Sequence, residues 1–509
     1  MGLSLPFLFS AFTLLHFYFT NFVELRWQDA MSTLGLVMLV VLALVGAAWA
    51  ALRDPHKAGL LALVGAFCFF SHERIVYGYC RFFLDGDTSI RIRGFLEPPH
   101  ALQVRVFWIL AAISVVAGLL LQQVRRDLGG LTRFCFRFSA AVVVVTAVSG
   151  FMTLANLPRP VLPLPQAHRS DSRPDIYLII LDGFGRADVL EKRYGFSIEP
   201  FLNFLGTQGF RVFSQSRANY PTTAYSLSSE LNFTYLDKES IGVGEEYANP
   251  YAYPLTTLMA HNRLTRFLKS QGYQIVNIYG GGDFTRRFAT TDLSLGMSQS
   301  VNGFSYGFAK HTPLALFASR WLRVPELDRR REAILQGLDQ LRRLPAETSG
   351  PRFVMVHLLC PHEPFFLRVD GGRPHADPAF DWQGRRQYPL GYAGQAQFLA
   401  AQMQAILPAL VRESAEPPVI LLHGDHGPAP LSSQQLEQAL ERYPNLCAMR
   451  LPGADIRVLP EDVTPVNYFR WVLNFYFDTR LEILPNKSYR PSDAQHPFLF
   501  EDITPYFER

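Results

Sequence analysis

Long apolar runs in residues 1–157 constrain the fold of this 509-residue chain more than any other feature. A helix that crosses a bilayer needs about 20 consecutive, mostly apolar residues, and water-soluble domains seldom contain such runs. Four segments meet this requirement, at residues 3–22, 31–52, 102–124 and 134–157. We therefore predict that residues 1–157 form an α-helical membrane region.

A fifth segment, residues 58–80, is less uniform. Its apolar part, AGLLALVGAFCFF, ends at the polar run Ser71 to Arg74. We predict a span with a polar outer end, which gives about five spans. Ionisable groups at membrane depth are costly, so His72, Glu73 and Arg74 could mark a functional site. The alternative, which we favour, places them among water and headgroups at the interface.

Basic residues predict the orientation of the spans, because loops rich in Lys and Arg stay on the cytoplasmic side. Arg53 and Lys57 lie between the second and third spans. Four arginines lie within residues 125–137, between the fourth and fifth spans or at the start of the fifth. With five spans, the N-terminus lies inside and the chain after residue 157 lies outside the cytoplasm. Four spans would leave that part inside, so the segment at residues 58–80 decides the compartment.

The composition and the cysteine spacing bear on nucleic-acid binding and on disulfide bonds. The chain is 49% hydrophobic and 18% charged, and its net charge is only +4. Because no basic patch stands out, we expect no nucleic-acid partner. The five cysteines form no C-x-x-C pair. Cys360 and Cys447 could pair in an oxidising compartment, but their spacing alone does not show a bridge.

Residues 175–509 carry the pattern of an α/β domain. Five prolines in residues 158–174 first predict a stiff, extended linker. Four apolar runs then predict buried strands, and they are DIYLIIL (175–181), QIVNIY (274–279), FVMVHL (353–358) and PVILLH (418–423). Helical segments lie between them, at residues 255–269, 326–343 and 395–412. This alternation indicates a largely parallel sheet with helices on both faces.

Polar side chains follow these strands, and ligands of such sheets bind beyond the carboxyl ends of the strands. Asp182 follows the first strand, His357 and His362 lie at the end of the third, and Asp425 and His426 follow the last. Carboxylates with imidazoles suit Zn, Mn or a similar divalent ion. A lone Asp after a strand more often forms a turn. The sequence HGDHG is the stronger signal, because adjacent Asp and His are seldom buried without a reason.

The segment ANYPTTAYSLSSELN, residues 218–232, places several hydroxyl groups at the start of a predicted helix. Thr222 or Thr223 could simply cap this helix, and taken alone that is the better interpretation. A threonine beside a divalent ion can also act as a nucleophile, and a helix N-terminus favours a phosphoryl or sulfuryl group. The predicted metal ligands shift the balance towards the nucleophile.

Four motifs, in this order, resemble the alkaline phosphatase/sulfatase superfamily: LDGFGRADVL, NYPTTAYSLSSELN, HLLCPHEPF and LLHGDHGP. The resemblance is greatest to its membrane-bound branch, which includes lipoteichoic acid synthases and lipid A phosphoethanolamine transferases. Those proteins place an extracytoplasmic catalytic domain after about five spans. The resemblance implies one divalent ion, Zn, Mn or Mg, with ligands at Asp182, Thr223, Asp425 and His426.

The same resemblance implies roles in catalysis. The nucleophilic threonine of the transferases has a serine three residues later, which fits Thr223 and Ser226 and does not fit Thr222. His362 matches the histidine of the H-x-P-F motif, which contacts the substrate or leaving group. His357 is expected to be structural or to contact a metal ligand instead of the metal. The C-x-P-S-R motif of the true sulfatases is missing, which argues against sulfate-ester hydrolysis. The transferases often have Glu where this chain has Asp182.

The function implied is a phosphotransferase in the bacterial inner membrane, whose catalytic domain lies in the periplasm or outside. It would move phosphoethanolamine or phosphoglycerol from a phospholipid donor to an envelope glycan or lipid, through a phospho-threonine. The alternatives are a phosphatase, phosphodiesterase or sulfatase-type hydrolase, and a non-catalytic envelope assembly protein. Residues 303–307, GFSYG, match the G-x-S-x-G of esterases, but no strong strand precedes them, so we do not favour that activity.

Overall fold

The computed structural model describes residues 1–21, 27–83, 91–92, 95–96, 100–168, 173–248, 252–281, 285, 288–296, 308, 312–347, 350–374, 388–432, 434–493 and 495–508. The chain divides into two compact units. The first comprises Met1–Leu157 and Ser300–Glu326, and the second comprises Pro158–Gln299 and Leu327–Arg509.

Long helices build the first unit. They are α1 (Leu5–Asn21), α2 (Trp27–Leu52), α3 (Pro55–Phe70), α4 (His72–Phe83), α5 (His100–Gln123) and α6 (Gly129–Ala155). A 3₁₀ turn at Gly2–Ser4 precedes α1. Two short strands, β1 (Arg91–Ile92) and β2 (Phe95–Leu96), pair antiparallel between α4 and α5.

Within the described residues, four helical stretches are long and apolar enough to cross a membrane by length and composition. They are Gly2–Thr20, Thr33–Leu52, Ala101–Gln123 and Gly129–Ala155. Large apolar side chains on these helices point outward, and Trp108 and Phe134 are 65% and 67% exposed. Apolar surface of this extent is typical of contact with lipid. The prediction of a helical membrane region is confirmed.

The predicted span at residues 58–80 is two helices in the structure. Asp54 caps α3 by accepting hydrogen bonds from the backbone N–H groups of His56 and Lys57. The apolar run then stops at Phe70, and α4 begins at His72. With 16 residues, α3 is shorter than a full span requires. A fifth span therefore stays a prediction, and with it the side of the membrane.

His72 does not face water as the favoured interpretation expected. It is buried, and its Nε2 lies 3.1 Å from the carbonyl oxygen of Gln103. Because these residues belong to α4 and α5, the imidazole links two neighbouring helices. The contact gives His72 a structural role within the first unit.

The second unit contains the remaining strands and helices. Its strands are β3 (Ile176–Leu181), β4 (Arg211–Val212), β5 (Gln274–Gly280), β6 (Leu293–Leu295), β7 (Arg352–Leu358), β8 (Val419–His423), β9 (Cys447–Arg450), β10 (Tyr489–Pro491) and β11 (Phe500–Asp502). Its helices are α7 (Ala187–Tyr194), α8 (Glu199–Thr207), α9 (Thr223–Asn232), α10 (Lys238–Ile241), α11 (Tyr253–Ala260), α12 (Arg263–Ser270), α13 (Leu314–Glu347, from residue 327 onward), α14 (Tyr388–Glu413), α15 (Gln435–Arg442) and α16 (Pro465–Phe477). Short 3₁₀ turns lie at Ile456–Val458 and Thr504–Tyr506.

Seven strands form one sheet in the order β4-β9-β8-β3-β7-β5-β6. The central strand β3 runs parallel to both β7 and β8, so that Ile179 pairs with Val356 on one side and Leu422 on the other. Strands β5 and β6 continue the parallel arrangement, whereas β9 runs antiparallel to β8. All four predicted strands lie in this sheet, and the predicted α/β class is confirmed.

Helices cover both faces of the sheet, which explains why the sequence of β3 is a continuous apolar run. Successive side chains of a strand point to opposite faces. Ile179 packs with residues of α7, α8, α13 and α14, and Ile180 packs with residues of α9, α12 and α16. The predicted helices on both faces are therefore present.

Some predicted elements differ in their extent. Residues 255–269 form α11 and α12 instead of one helix. The first ends at Ala260, and Asn262 caps the second by accepting from the N–H of Thr265 at 2.8 Å. Residues 158–168 form no helix or strand, but Leu162 and Ala167 pack against apolar clusters of the second unit.

Two further expectations concern cysteines and the esterase motif. Cys360 and Cys447 are both free, buried thiols, so they do not form the bridge that the sequence left open. The GFSYG motif at residues 303–307 lies outside the described residues.

The ion pair between Asp175 and Arg352 stabilises the end of the sheet opposite to the carboxyl ends of the parallel strands. Asp175 accepts hydrogen bonds from the Arg352 backbone N–H at 2.9 Å and from its Nε at 3.1 Å. Asp175→Ala would bury the Arg352 charge without its carboxylate, which costs about 3–5 kcal/mol. We expect urea unfolding of the full chain in detergent to show this loss.

Asp339 provides a matched control, because its ion pair with Arg343 spans one helical turn on an exposed surface. Asp339→Ala should change the free energy of unfolding by no more than about 0.5 kcal/mol. Equal losses in the two variants would contradict the structural role of the Asp175 pair.

Candidate active site

The polar residues of the site lie at the ends of three neighbouring strands, β7, β3 and β8. His357 lies near the end of β7, Asp182 directly follows β3, and Asp425 follows β8 by two residues. Their ligand atoms all lie within 4.8 Å of one another, and the three side chains are buried. The strand order thus joins residues that are far apart in sequence.

Asp182 makes contact with most other residues of the site. Its Oδ2 lies 3.0 Å from His357 Nε2 and accepts from the Thr223 hydroxyl at 3.3 Å. Burial alone would raise the pKa of Asp182, but the charge on His362 and the hydrogen bond from His357 hold that pKa well below its usual range. The carboxylate therefore stays ionised.

The adjacent residues Asp425 and His426 are fixed in different ways. Asp425 Oδ1 accepts from the backbone N–H groups of Gly183 and His426, at 3.0 and 3.1 Å. His426 Nδ1 donates to the carbonyl oxygen of Gly427 at 2.9 Å, which leaves the lone pair on Nε2. Burial and the neighbouring Arg442 lower the pKa of His426 to about 4, so the ring is neutral at pH 7 and suited to bind a cation.

Two glycines allow this packing. Gly183 has φ +74°, which favours glycine, and this conformation presents its N–H to Asp425. A Cβ on Gly427 would lie 2.4 Å from the carbonyl oxygen of Glu441. The Asp425 loop therefore packs directly against α15.

Thr223, not Thr222, faces the predicted metal ligands. Thr222 is the N-cap residue of α9 by position, but its side chain makes no capping hydrogen bond. The Thr223 hydroxyl oxygen is half-buried and lies 3.3 Å from Asp182 Oδ2 and 3.4 Å from His426 Nε2. The hydroxyl group thus lies at the positive end of a ten-residue helix.

Two contacts connect α9 to the segment that carries Asp425. Ser226, three residues after Thr223, donates its hydroxyl to the Asp425 carbonyl oxygen at 2.7 Å. Glu230, further along α9, lies 3.1 Å from His423 Nε2, and both side chains are fully buried. The helix with the candidate nucleophile and the strand with the candidate ligand are therefore joined twice.

His362 lies at the rim of the site. Its backbone N–H donates to the carbonyl oxygen of Asp182, and its ring centre is 6.4 Å from that of His426. Its Nδ1 donates to the Glu363 carbonyl oxygen at 2.6 Å, which leaves Nε2 available, and the side chain is 24% exposed. His362 is the site histidine that a substrate can reach most easily.

The structure also shows which site residues His357 and Arg442 contact. His357 was expected to be structural or to contact a metal ligand, and its Nε2 does contact Asp182. Burial acts to lower the pKa of His357, but the bond to Asp182 raises it overall. Arg442, which the motifs did not single out, donates from Nη2 to His426 Nε2 at 3.1 Å. The only sequence signal for His357 was its position at a strand end, and Arg442 gave no signal.

The residues fit one divalent ion. Asp182 Oδ1 and Asp425 Oδ2 are buried and have no hydrogen-bond partner, which is costly for carboxylate oxygens. His426 Nε2 lies 3.9 Å from the first of these oxygens and 3.3 Å from the second. Oxygen and imidazole donors together suit Zn or Mn. Asp182, Asp425 and His426 could hold the ion, with Thr223 and His357 beside it.

Comparisons with known proteins give one family. The profile of the Sulfatase family matches residues 174–469. No curated protein matches the chain.

Several solved structures resemble parts of this chain. The C-terminal periplasmic domain of EcEptC from Escherichia coli is 14% identical, with a TM-score of 0.45, over 69% of this chain and 99% of that one. Lipooligosaccharide phosphoethanolamine transferase A (EptA), an integral membrane protein from Neisseria meningitidis, is 13% identical, with a TM-score of 0.42, over 93% and 95%. The phosphonate monoester hydrolase of Agrobacterium radiobacter is 13% identical, with a TM-score of 0.40, over 62% and 80%.

The ligand set predicts how the metal content responds to substitution. Asp182→Asn and Asp425→Asn each remove a carboxylate charge at the site, and we expect the affinity for Zn²⁺ to fall about 100-fold or more. Metal analysis of the full chain in detergent, after dialysis against a weak chelator, measures this loss.

Asp237→Asn is the matched control, because Asp237 caps α10 through its side chain and Asn can also cap. This variant should keep about one ion per chain, as the wild type does. Retention of the ion in both Asp182→Asn and Asp425→Asn would overturn the assignment of the site.

Proposed function

Because the chain belongs to the Sulfatase family, as its four motifs predicted, we propose that it is a membrane-anchored, metal-dependent phosphotransferase. It transfers a phospholipid-headgroup phosphate, phosphoethanolamine or phosphoglycerol, to a cell-envelope glycan or lipid. One observation carries this proposal: the Thr223 hydroxyl lies at a helix N-terminus, next to Asp182 and His426.

A threonine hydroxyl is a weak nucleophile and needs activation. A divalent ion, when bound, supplies positive charge that favours the alkoxide form of Thr223 and offsets the charge of a phosphoryl group. Asp182, Asp425 and His426 would hold the ion. The N-terminus of α9 adds backbone N–H groups that attract the phosphoryl oxygens.

The first half of the reaction forms a phospho-threonine. Thr223 gives up its proton to solvent, and its Oγ1 bonds to the phosphorus of the donor while the bond to the lipid alcohol breaks. Protonated His362 gives its proton to the departing alcohol oxygen, a role that fits its exposed position at the rim. In the sequence, the absence of C-x-P-S-R also favours threonine chemistry over that of the true sulfatases.

The second half returns the enzyme to its starting state. An acceptor hydroxyl bonds to the phosphorus, its proton passes to His362, and the bond to Thr223 breaks. The apolar helices of the first unit support lipid-linked substrates, since they keep the chain in a membrane. We place the protein in the bacterial inner membrane, with residues 175–509 as the catalytic domain in the periplasm or outside, after a linker at residues 158–174.

Intact-mass analysis tests the covalent step. The full chain in detergent, loaded with Zn²⁺ or Mn²⁺, is incubated separately with phosphatidylethanolamine and phosphatidylglycerol. We expect one of these lipids to leave a headgroup-phosphate adduct on Thr223. Thr223→Ala should remove the adduct and lower turnover by about 10³-fold or more, because the nucleophile is lost.

The neighbouring variant Thr222→Ala is the control, since that side chain is exposed and makes no capping bond. It should keep the adduct and turnover within about twofold of the wild type, as expected for a surface change. A loaded wild type without any adduct, or full turnover in Thr223→Ala, would contradict the proposal. Release of free headgroup phosphate without transfer would instead identify a hydrolase.

A further inference from the structure

Arg442, at the end of α15, holds its guanidinium group beside the nucleophile. Its Nε donates to the carbonyl oxygen of Pro221 at 2.7 Å, and its Nη1 donates to that of Gly427 at 3.1 Å. Pro221 precedes Thr223 by two residues, and Gly427 directly follows His426. These bonds fix the guanidinium between the nucleophile segment and the loop of the candidate ligand.

The third bond of Arg442 conflicts with the proposed ligand set. Its Nη2 donates to His426 Nε2 at 3.1 Å. Because His426 Nδ1 donates to Gly427, Nε2 offers a single lone pair. That lone pair can accept from Arg442 or bind a divalent ion, but not both.

The hydrogen-bond partners that the structure gives Arg442 are all uncharged groups. Among the residues that the structure describes, no carboxylate forms an ion pair with Arg442, and its bonds go to two carbonyl oxygens and one imidazole. A guanidinium always carries its charge, and it offers five N–H groups in a fixed plane. Such a group favours the oxygens of a phosphate, which it can bind in pairs.

We propose that Arg442 binds the phosphoryl group that Thr223 attacks, and that it does so once a divalent ion takes His426 Nε2. The bonds to Pro221 and Gly427 keep the guanidinium in place, while Nη2 turns from the imidazole to a phosphoryl oxygen. This inference rests on the proposed phosphoryl transfer at Thr223. Arg442 would thus be an anion-binding side chain in a site whose other predicted residues hold the ion, attack the phosphorus or move protons.

The affinities of Arg442→Gln for Zn²⁺ and for inorganic phosphate test the inference. In Arg442→Gln, a positive charge near His426 disappears, so Zn²⁺ should bind at least as tightly as in the wild type and up to about tenfold more tightly. Inorganic phosphate should bind the Zn²⁺-loaded chain about 10–100-fold more weakly, as expected when a charged hydrogen-bond donor is lost. Chelator competition and calorimetry on the full chain in detergent measure the two affinities.

Arg442→Lys keeps the charge but not the planar fork, and its phosphate affinity should fall between those of the wild type and Arg442→Gln. This variant also serves if Arg442→Gln fails to fold. Arg450→Gln is the matched control, because Arg450 donates to the Pro418 carbonyl oxygen and pairs in the sheet with Ile420, near the start of β8. It should leave both affinities unchanged.

Two results would overturn the inference. Unchanged phosphate affinity in Arg442→Gln would show that the side chain does not bind the anion. Parallel losses of Zn²⁺ and phosphate affinity would show that Arg442 only supports the structure. Both readouts are independent of turnover, so a wild type that forms no Thr223 adduct would refute the proposed function without deciding the role of Arg442.

Discussion

Two buried carboxylates side by side are the constraint on which the site depends. Asp182 and Asp425 each keep one oxygen without a hydrogen-bond partner. Like charges about 5 Å apart repel by roughly 3 kcal/mol at an effective dielectric constant of about 20. Two groups offset part of this repulsion: the hydrogen bond between His357 and Asp182, and the N-terminus of α9 with the Thr223 hydroxyl. The ends of β3 and β8 therefore form a site built to receive positive charge.

The sheet makes this arrangement possible because parallel strands end at one edge. Asp182 and Asp425 follow strands that are adjacent in space, although β4 to β7 lie between them in sequence. The opposite edge carries the buried pair of Asp175 and Arg352, which contributes to stability. The candidate site and this ion pair thus lie at opposite ends of the same strands. The effects of substitutions on activity and on stability can therefore be measured separately.

The sequence predicted what depends on local pattern. Apolar runs located the four strands, and polar residues directly after them located Asp182, Asp425 and His426, because strand ends share one edge. It did not predict the break at Asn262, where a capping bond interrupts a continuous helical pattern. Nor did it indicate Arg442, whose position follows from the close packing of Gly427 against α15. Contacts between distant loops leave no local pattern to recognise.

The double connection between α9 and β8 has a consequence for how such an enzyme can diversify. Ser226 and Glu230 fix α9 to the segment that carries Asp425. The distance between the Thr223 hydroxyl and the Asp425 segment is therefore set by the fold, before any substrate binds. Side chains outside this rigid pair, such as those near the partly exposed His362, can then change without altering that distance. Under the proposed function, the bond-forming step could stay the same in related proteins while the donor and the acceptor change.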